Sequence, residues 1–390
     1  MNKKPIVVIG GGFGGIYTIK DLLKQGERVV LISTSQHFTF TPLLHEVATG
    51  SLMSHDIAFE YESFFRSDLF EFVSGSVTRI DPESMCVWIG ETCIAYDRLV
   101  IATGSRTNEH LVKGMEYVYE LKRVEDAVAI KHAVITKAQH VEKHVSVSVI
   151  GGGPTGCELV FEIKRLLLAL KKRHPTLVFQ VRLIHSKKDL GGSTRSDMQT
   201  YISNRIKHSG IEVVYDALAE EVTTTQVITN KGTFVSDVTI LATGVRPNTD
   251  VFQGVLPLDA KGSLLVEPTL QVVGHPNIFA LGDIIQLGKS FIPRLAQTAV
   301  QQASIVAKNI QYQEQGKPLQ SYEMKLKGYL LSLGYGDGAG EMLGFFIKGA
   351  LAWFLWRTVY LFKTPGFKNK IRVAVSWTID LFQGRDLTTF

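Results

Sequence analysis

A duplicated glycine loop constrains this chain more than any other feature. Ile6-Val-Val-Ile-Gly-Gly-Gly-Phe-Gly-Gly-Ile16 is a β-branched run followed by G-x-G-x-x-G, with motif glycines at Gly10, Gly12 and Gly15. Val147-Ser-Val-Ile-Gly-Gly-Gly-Pro-Thr-Gly-Cys-Glu158 repeats the pattern, with Gly151, Gly153 and Gly156. Such glycines permit a tight turn and bring backbone N–H groups close to a pyrophosphate at a helix N-terminus. One such loop is a weak signal. Two, each set between a strand and an apolar-periodic segment, point to two dinucleotides in one protein and to electron transfer.

At 390 residues the chain suits two domains and a smaller third element. A net charge of +5, without aromatics interleaved among the basic residues, does not call for nucleic acid. Cys86, Cys93 and Cys157 show no metal-ligand spacing and no C-x-x-C pair. They read as three buried or half-buried thiols in a reducing compartment, with no redox disulfide and no metal. The first strand begins at about Pro5, which leaves no room for a cleavable leader and keeps the chain on the side where it is made.

Residues 5–32 read as strand, loop, helix, a turn at Gln25-Gly26, and strand. That second strand ends at Ser33-Thr34, where a carboxylate usually holds ribose hydroxyls. The stretch 37–50 reads as a loop and short helix folded back towards a cofactor; it has no cysteine pair, which disfavours a thiol-exchanging substrate. Residues 70–101 read as an antiparallel meander running into Ala102-Thr103-Gly104. A covering helix is predicted over 124–140, a second-loop helix over about 156–172, and its matching strand over 178–184. The next residues, His185-Ser-Lys-Lys188, again lack a carboxylate; lysines and a serine here would tolerate a 2′-phosphate, or form only a solvated turn. A second meander, 211–244, closes with Ala242-Thr243-Gly244. The strand ending in Gly282-Asp283 completes the first domain, so the second is inserted in it. After Pro293 a helix begins; Gln297 and Gln301 share one face, as two neutral amides would for a carbonyl-bearing ligand such as a quinone, or as solvated residues.

The tail changes character. Met342–Phe362 is largely apolar and aromatic, and reads as a helix, whole or broken, lying at a bilayer surface. Residues 368–382 make an amphipathic helix, with Ile371, Ala374, Val375, Thr378, Leu381 and Phe382 on one side and Arg372, Ser376 and Asp380 on the other. Between Met342 and Val373 stand six Lys or Arg and no Asp or Glu, the makeup of an anionic-lipid surface. A dimer interface, or a helix pair capping the core, is the alternative.

Together the two loops, Phe40-Thr-Pro-Leu-Leu-His-Glu-Val-Ala-Thr-Gly50, the two Ala-Thr-Gly turns, Leu281-Gly-Asp283, Ala296-Gln-Thr-Ala-Val-Gln301 and the aromatic tail resemble the type II NAD(P)H:quinone oxidoreductases. The resemblance implies an α/β fold of two Rossmann-like domains, the second inserted in the first, plus a C-terminal amphipathic membrane-binding region. The corresponding partition is 1–112, 113–246, 247–328 and 329–390. It implies non-covalent FAD, NADH or NADPH as substrate, and two-electron reduction of a membrane quinone without proton pumping. Around the cofactors it sets Gly10, Gly12, Phe13, Gly14, Gly15, Ser33, Thr34, Pro42, Leu43, Thr103, Gly104, Gly282, Asp283, Ala296 and Gln297, and also Gly151, Gly153, Pro154, Thr155, Gly156, Glu158, His185, Thr243 and Gly244. Glu158 matches a carboxylate near nicotinamide and flavin, Gln297 and Gln301 the quinone pocket, and Asp283 a flavin-polyol contact. Ser33 and His185 depart from the family's carboxylates. The implied protein is peripheral on the cytoplasmic face of a membrane, and the tail is compatible with a homodimer. A sulfide:quinone reductase would need cysteines beyond Cys157; a soluble ferredoxin reductase would not need the tail. A non-catalytic nucleotide-sensing or lipid-surface protein is the remaining alternative.

Overall fold

The computed structural model describes residues 3–139, 144–193, 195–290, 292–326, 328–382 and 385–387. Its principal helices, in chain order, are α1 (Phe13–Lys24), α2 (Leu44–Val47), α3 (Val124–Gln139), α4 (Pro154–Arg173), α5 (Ser196–His208), α6 (Ala296–Glu314), α7 (Gly349–Lys363) and α8 (Phe367–Phe382). Residue 140, the expected end of α3, lies outside the described residues. The chain resolves into two compact units, one of 1–38, 59–106 and 245–326, the other of 39–58, 107–244 and 327–390.

Each unit is built on a parallel sheet. In the first, strands Phe70–Ser74, Val29–Ser33, Ile6–Ile9, Arg98–Ile101 and His275–Ala280 lie side by side in that order. Ile6 stands opposite both Val29 and Arg98, and all of Ile6–Ile9 is buried. A strand covered on both faces needs no alternation, which explains the unbroken apolar run. Helices α1 and α6 pack against each other in this unit. In the second, the order is Glu212–Val214, Val178–Ile184, His144–Ile150, Val238–Leu241 and Val118–Glu120. In both sheets the strand leading into the glycine loop is where the strand order reverses, the position at which open α/β sheets bind nucleotides.

Several expectations need correction. Of residues 70–101 only Arg79–Asp81, Cys86–Ile89 and Thr92–Ala95 form the antiparallel meander; Phe70–Ser74 and Arg98–Ile101 belong to the parallel sheet. Likewise Glu212–Val214 is a parallel edge strand. Alternation marks a strand covered on one side and does not say which strand covers it. Cys86 and Cys93 form a disulfide across the hairpin, leaving Cys157 as the free thiol, and Cys93 is exposed. The hairpin brings their Cα atoms to 6.0 Å, within bridging range. The inference of a reducing compartment from three free thiols therefore loses its premise.

The tail does not begin as a helix. Gly338–Met342 and Phe345–Lys348 pair antiparallel beside Tyr329–Ser332, turning at Leu343-Gly344, and α7 starts only at Gly349. The partition differs too. Segment 39–58 clusters with the second unit rather than the first, and the tail joins that same unit instead of standing apart. Specific contacts within it account for this. Buried Arg385 donates to the carbonyls of Thr49 and Glu162 and to the Glu162 carboxylate, and the Asp386 N–H bonds the Gly50 carbonyl at 3.1 Å. A Cβ on Gly50, whose φ is +77°, would lie 2.4 Å from the Asp386 carbonyl, so only glycine admits this approach.

Helix α8 is amphipathic with its polar side inward. Ser376 donates to Asp56 at 2.9 Å, Arg165 donates to Asp380 at 3.0 Å, and Arg372 reaches the His55 carbonyl. Ile371, Val375 and Phe382 face out, Phe382 at 85% exposure. Leu351, Phe354 and Phe362 on α7, with Leu343 and Phe345 on the hairpin, are exposed as well. No helix among the described residues is long and apolar enough to cross a membrane.

Candidate functional site

The first loop turns so tightly that its glycines are obligatory. A Cβ on Gly10 would lie 2.4 Å from the Ala102 carbonyl, and one on Gly15 would lie 1.9 Å from that of Gly10. Gly14 closes onto Leu281. Gly12 differs: nothing lies within 4 Å of its Cβ position. It is the N-cap of α1, with no side-chain cap bond and no acidic residue in the first turn. The N-terminus of that helix therefore faces open space at Gly12, as an anionic pyrophosphate requires. Phe13 packs edge-on against Phe38, with ring centroids 5.0 Å apart. Ser33 accepts a hydrogen bond from the Ser35 N–H, and Thr34 is exposed beside it.

The rest of this unit braces the loop. Thr103 donates to the Asn248 carbonyl at 2.7 Å, and Gly104 takes a left-handed φ of +67°. Asp283 accepts from the Ser105 hydroxyl at 2.7 Å. The preceding Gly282 N–H goes to Gln302 Oε1 at 2.7 Å. Gln302, fully buried on α6, is a residue that sequence reasoning missed; its neighbour Gln301 drew the attention because it shares a face with Gln297. Tyr61 was missed as well. Its hydroxyl donates to the Gly11 carbonyl at 3.1 Å, a contact that no local pattern announces. Of the two glutamines expected to serve alike, Gln301 is tied to the chain itself: it donates to the Lys325 carbonyl at 2.9 Å and accepts the Lys325 N–H at 3.3 Å. Ala296 and Gln297 form the first turn of α6, both half-buried.

The second loop repeats the design. Gly151, at φ +116°, would place a Cβ 2.6 Å from the Ala242 carbonyl, and Gly156 one 1.8 Å from that of Gly151. Gly153 is the open, uncapped N-cap of α4, Pro154 supplies the preset φ of its first turn, and Thr155 is exposed. Thr243 Oγ1 is buried with no hydrogen-bond partner among the described residues, an acceptor and donor left for a ligand. Gly244, unlike Gly104, is not left-handed, and its carbonyl accepts the Asn108 N–H. His185 is occupied. Its Nδ1 lies 3.0 Å from the Gly152 N–H and its Nε2 2.8 Å from the Asp189 carbonyl, which assigns the neutral Nε2–H tautomer. Burial, the larger influence, lowers its pKa and agrees with that form. The imidazole thus stands where a ribose-binding carboxylate would, and holds the loop instead. Ser186, Lys187 and Lys188 are exposed, Lys188 being 4.0 Å from Asp216. Pro42 and Leu43 form a 3-10 turn leading into α2, within this second unit.

Behind the second loop lies a buried group of charges. Glu158, on the second turn of α4, is 7% exposed and accepts from the Ser332 N–H at 3.1 Å and from Trp356 Nε1 at 3.0 Å. Burial pushes its carboxyl up to about 8 against those two hydrogen bonds. Glu46 on α2 accepts from Trp377 and is pushed up to about 7, by burial first and by Glu162 second. Glu162, one turn beyond Glu158, behaves oppositely: burial would raise it, but Arg385 and Arg165 outweigh that and hold it near 2. Sequence reasoning singled out Glu158 alone from this group.

A match to the family model described as pyridine nucleotide-disulphide oxidoreductase spans residues 4–303, and one described as the NDH2 C-terminal domain spans 327–386. The chain belongs to the pyridine nucleotide-disulphide oxidoreductases, in their type II NAD(P)H:quinone oxidoreductase branch. It is 27% identical to a probable NADH dehydrogenase of Dictyostelium discoideum, across 100% of this chain and 92% of that one. It is 27% identical to a type II NADH:quinone oxidoreductase of Mycobacterium tuberculosis, across 97% and 88%. The structure of an NDH2 from Plasmodium falciparum in complex with NADH superposes with a TM-score of 0.89 at 19% identity, covering 99% of this chain and all of that one. The chain carries one glycine loop beside each of two separate sheets.

Proposed function

We propose that this type II oxidoreductase oxidises NADH or NADPH and passes two electrons through a bound FAD to a membrane quinone, working at a lipid surface. The observation that supports it most is the pair of open, uncapped helix N-termini at Gly12 and Gly153, each closed against its sheet by glycines that tolerate no Cβ. FAD supplies the step between a two-electron hydride donor and the quinone. Gly10, Gly12, Gly14 and Gly15 would hold its pyrophosphate, and Gly282-Asp283 its polyol chain. Gly151, Gly153 and Gly156 would hold the nicotinamide nucleotide, with Thr243 Oγ1 left to bond it. The residues directly after the strand Val178–Ile184, His185-Ser-Lys-Lys188, include no carboxylate, and Lys187 and Lys188 stand exposed there, so a 2′-phosphate is accepted. Gln297, half-buried in the first turn of α6, is the amide that would meet quinone, and Gln301 is bonded to the Lys325 backbone.

The outward apolar faces of α7 and α8 lie on anionic lipid, on the cytoplasmic side where the nucleotides are. Six Lys or Arg and no Asp or Glu between Met342 and Val373 favour anionic lipid over a second copy of the chain. The test is direct. Purified protein should be yellow, oxidise NADH and NADPH only when a quinone is present, and sediment with anionic but not zwitterionic vesicles. Colourless protein after FAD is added, or oxidation indifferent to quinone, refutes the activity; a dimer in detergent-free solution that ignores vesicles assigns the apolar face to a second copy.

A further inference from the structure

Gln302 is a polar side chain on the buried face of α6, where Ala299, Ala303 and Val306 are its neighbours, and it is fully buried itself. Burying a primary amide is unfavourable unless a hydrogen bond offsets the lost water, so each such residue needs an account. Asn309, equally buried on the same helix, has one in the surrounding chain. It donates to the carbonyls of Thr269 at 2.9 Å and Gln320 at 2.8 Å, and accepts the Gln320 N–H at 2.8 Å. Gln302 makes a different bond: its Oε1 accepts the Gly282 N–H at 2.7 Å.

That N–H lies past the end of the sheet. The strand His275–Ala280 has finished, and the Leu281 N–H still reaches the Ile101 carbonyl at 3.1 Å, but Gly282 turns away with a φ of +85°. A Cβ at Gly282 would lie 3.8 Å from Ala299 Cβ, so α6 passes close to the turn. Asp283 follows, half-buried, and accepts from the Ser105 hydroxyl at 2.7 Å. Three successive residues thus have three separate anchors. Leu281 packs on the Gly14 backbone, Gly282 is tied to α6, and Asp283 is tied to Ser105. Only the middle anchor fixes the peptide plane from which the turn departs, and it depends on one side chain.

We propose that Gln302 is a positioning residue of the flavin site: through the Gly282 N–H it holds the turn that presents Asp283 to the FAD polyol. This rests on the reading that FAD occupies the first unit with its polyol at Gly282-Asp283. The pyrophosphate has its own seat at the open helix end at Gly12. Gln302 therefore acts on one half of the cofactor, and ligands that differ in that half separate its role from general support of the fold. FAD carries a pyrophosphate and a polyol; ADP carries the pyrophosphate alone.

The experiment uses full-length holoprotein, dialysed to equilibrium against a series of FAD concentrations with ADP added as competitor. Retained flavin absorbance yields the FAD dissociation constant and the ADP inhibition constant. Gln302→Met keeps the length of the side chain and removes its acceptor. It should raise the FAD constant about tenfold, the effect of one lost hydrogen bond, and leave the ADP constant within about twofold, as for an independent site. Gln302→Asn, one methylene shorter, withdraws the oxygen while remaining an amide; it should show the same FAD-selective loss, and it carries the test if Gln302→Met does not fold. Gln302→Glu is the rescue. Its buried carboxyl is protonated at about pH 6 and sets a C=O before the Gly282 N–H, so FAD should bind within about threefold of wild type. Asn309→Leu is the control for damage to α6: it should lower the melting temperature without changing the ratio of the two constants. Equal losses for FAD and ADP in the Met and Asn variants, no loss for FAD, no recovery in Gln302→Glu, or the same FAD-selective loss in Asn309→Leu overturns the proposal. Wild-type protein that retains no FAD would instead overturn the reading on which it rests.

Discussion

Arg385→Met tests how the tail is fastened to the second unit. Arg385 is buried, and its guanidinium bonds the Glu162 carboxylate and carbonyl and the Thr49 carbonyl. Burial works against its charge, yet a guanidinium remains protonated, so the effect of the pair is read on Glu162. That carboxyl stands near 2 instead of its ordinary 4.5. The difference corresponds to about 3 kcal/mol of stability at neutral pH, and removing one partner of a buried pair costs about 3–5 kcal/mol. The second unit has about 220 residues. For a unit of that size the loss should lower the thermal midpoint by roughly 6–12 °C. The assay is scanning calorimetry at fixed free FAD, so that cofactor linkage is equal in both proteins. The sign with pH follows from a depressed carboxyl: its contribution is complete above 4.5 and fades as pH falls towards 2, so the gap between the two proteins should narrow below about pH 4.5. Replacing both partners, Arg385→Met with Glu162→Gln, should recover much of the loss, because no uncompensated charge is then buried. A single variant whose midpoint falls by less than about 2 °C would refute the reasoning.

Three further outcomes are expected. Gly156→Ala forces a Cβ to within 1.8 Å of the Gly151 carbonyl and should abolish saturable NADH binding while the protein stays yellow; calorimetric titration with NADH decides it. Gln297→Ala should slow quinone reduction about tenfold or more with flavin reduction unchanged, whereas Gln301→Ala should chiefly cost about 1 kcal/mol of stability through the Lys325 backbone; single-turnover rates and melting curves separate the two. Val375→Glu with Phe382→Glu should leave the melting temperature within about 2 °C, since both side chains are exposed, yet release the protein from anionic vesicles in a flotation assay.

What was legible in the sequence was whatever a single stretch of backbone dictates. Gly10, Gly15, Gly151 and Gly156 sit where a Cβ would strike a carbonyl, so the motif announces its own geometry. Strand Val178–Ile184 and helices α4 and α8 follow from local periodicity, and their ends fall within a few residues of the predicted ones. Partnership across the chain was not legible. The residue facing Gly282 is Gln302 and not its neighbour, Gln301 serves Lys325, His185 serves its own loop, and Cys86 finds Cys93. An amide, an imidazole or a thiol has the same composition whether it meets a ligand or a backbone group.

The sequence alone determined that two strand–glycine-loop–helix stretches each offer an anion-binding helix end, because that depends on glycine φ values and on the hydrophobicity of the strand before the loop. Only the tertiary structure decided which carboxylates are spent and which can hold a proton. Glu46, Glu158 and Glu162 are chemically identical side chains. Two arginines brought from α4 and the C-terminal segment keep Glu162 ionised, and two indoles from α7 and α8 are what the others receive. In a buried site, the free energy of a charge is set by the partner within hydrogen-bond reach, and that partner lies up to 331 residues away in the chain.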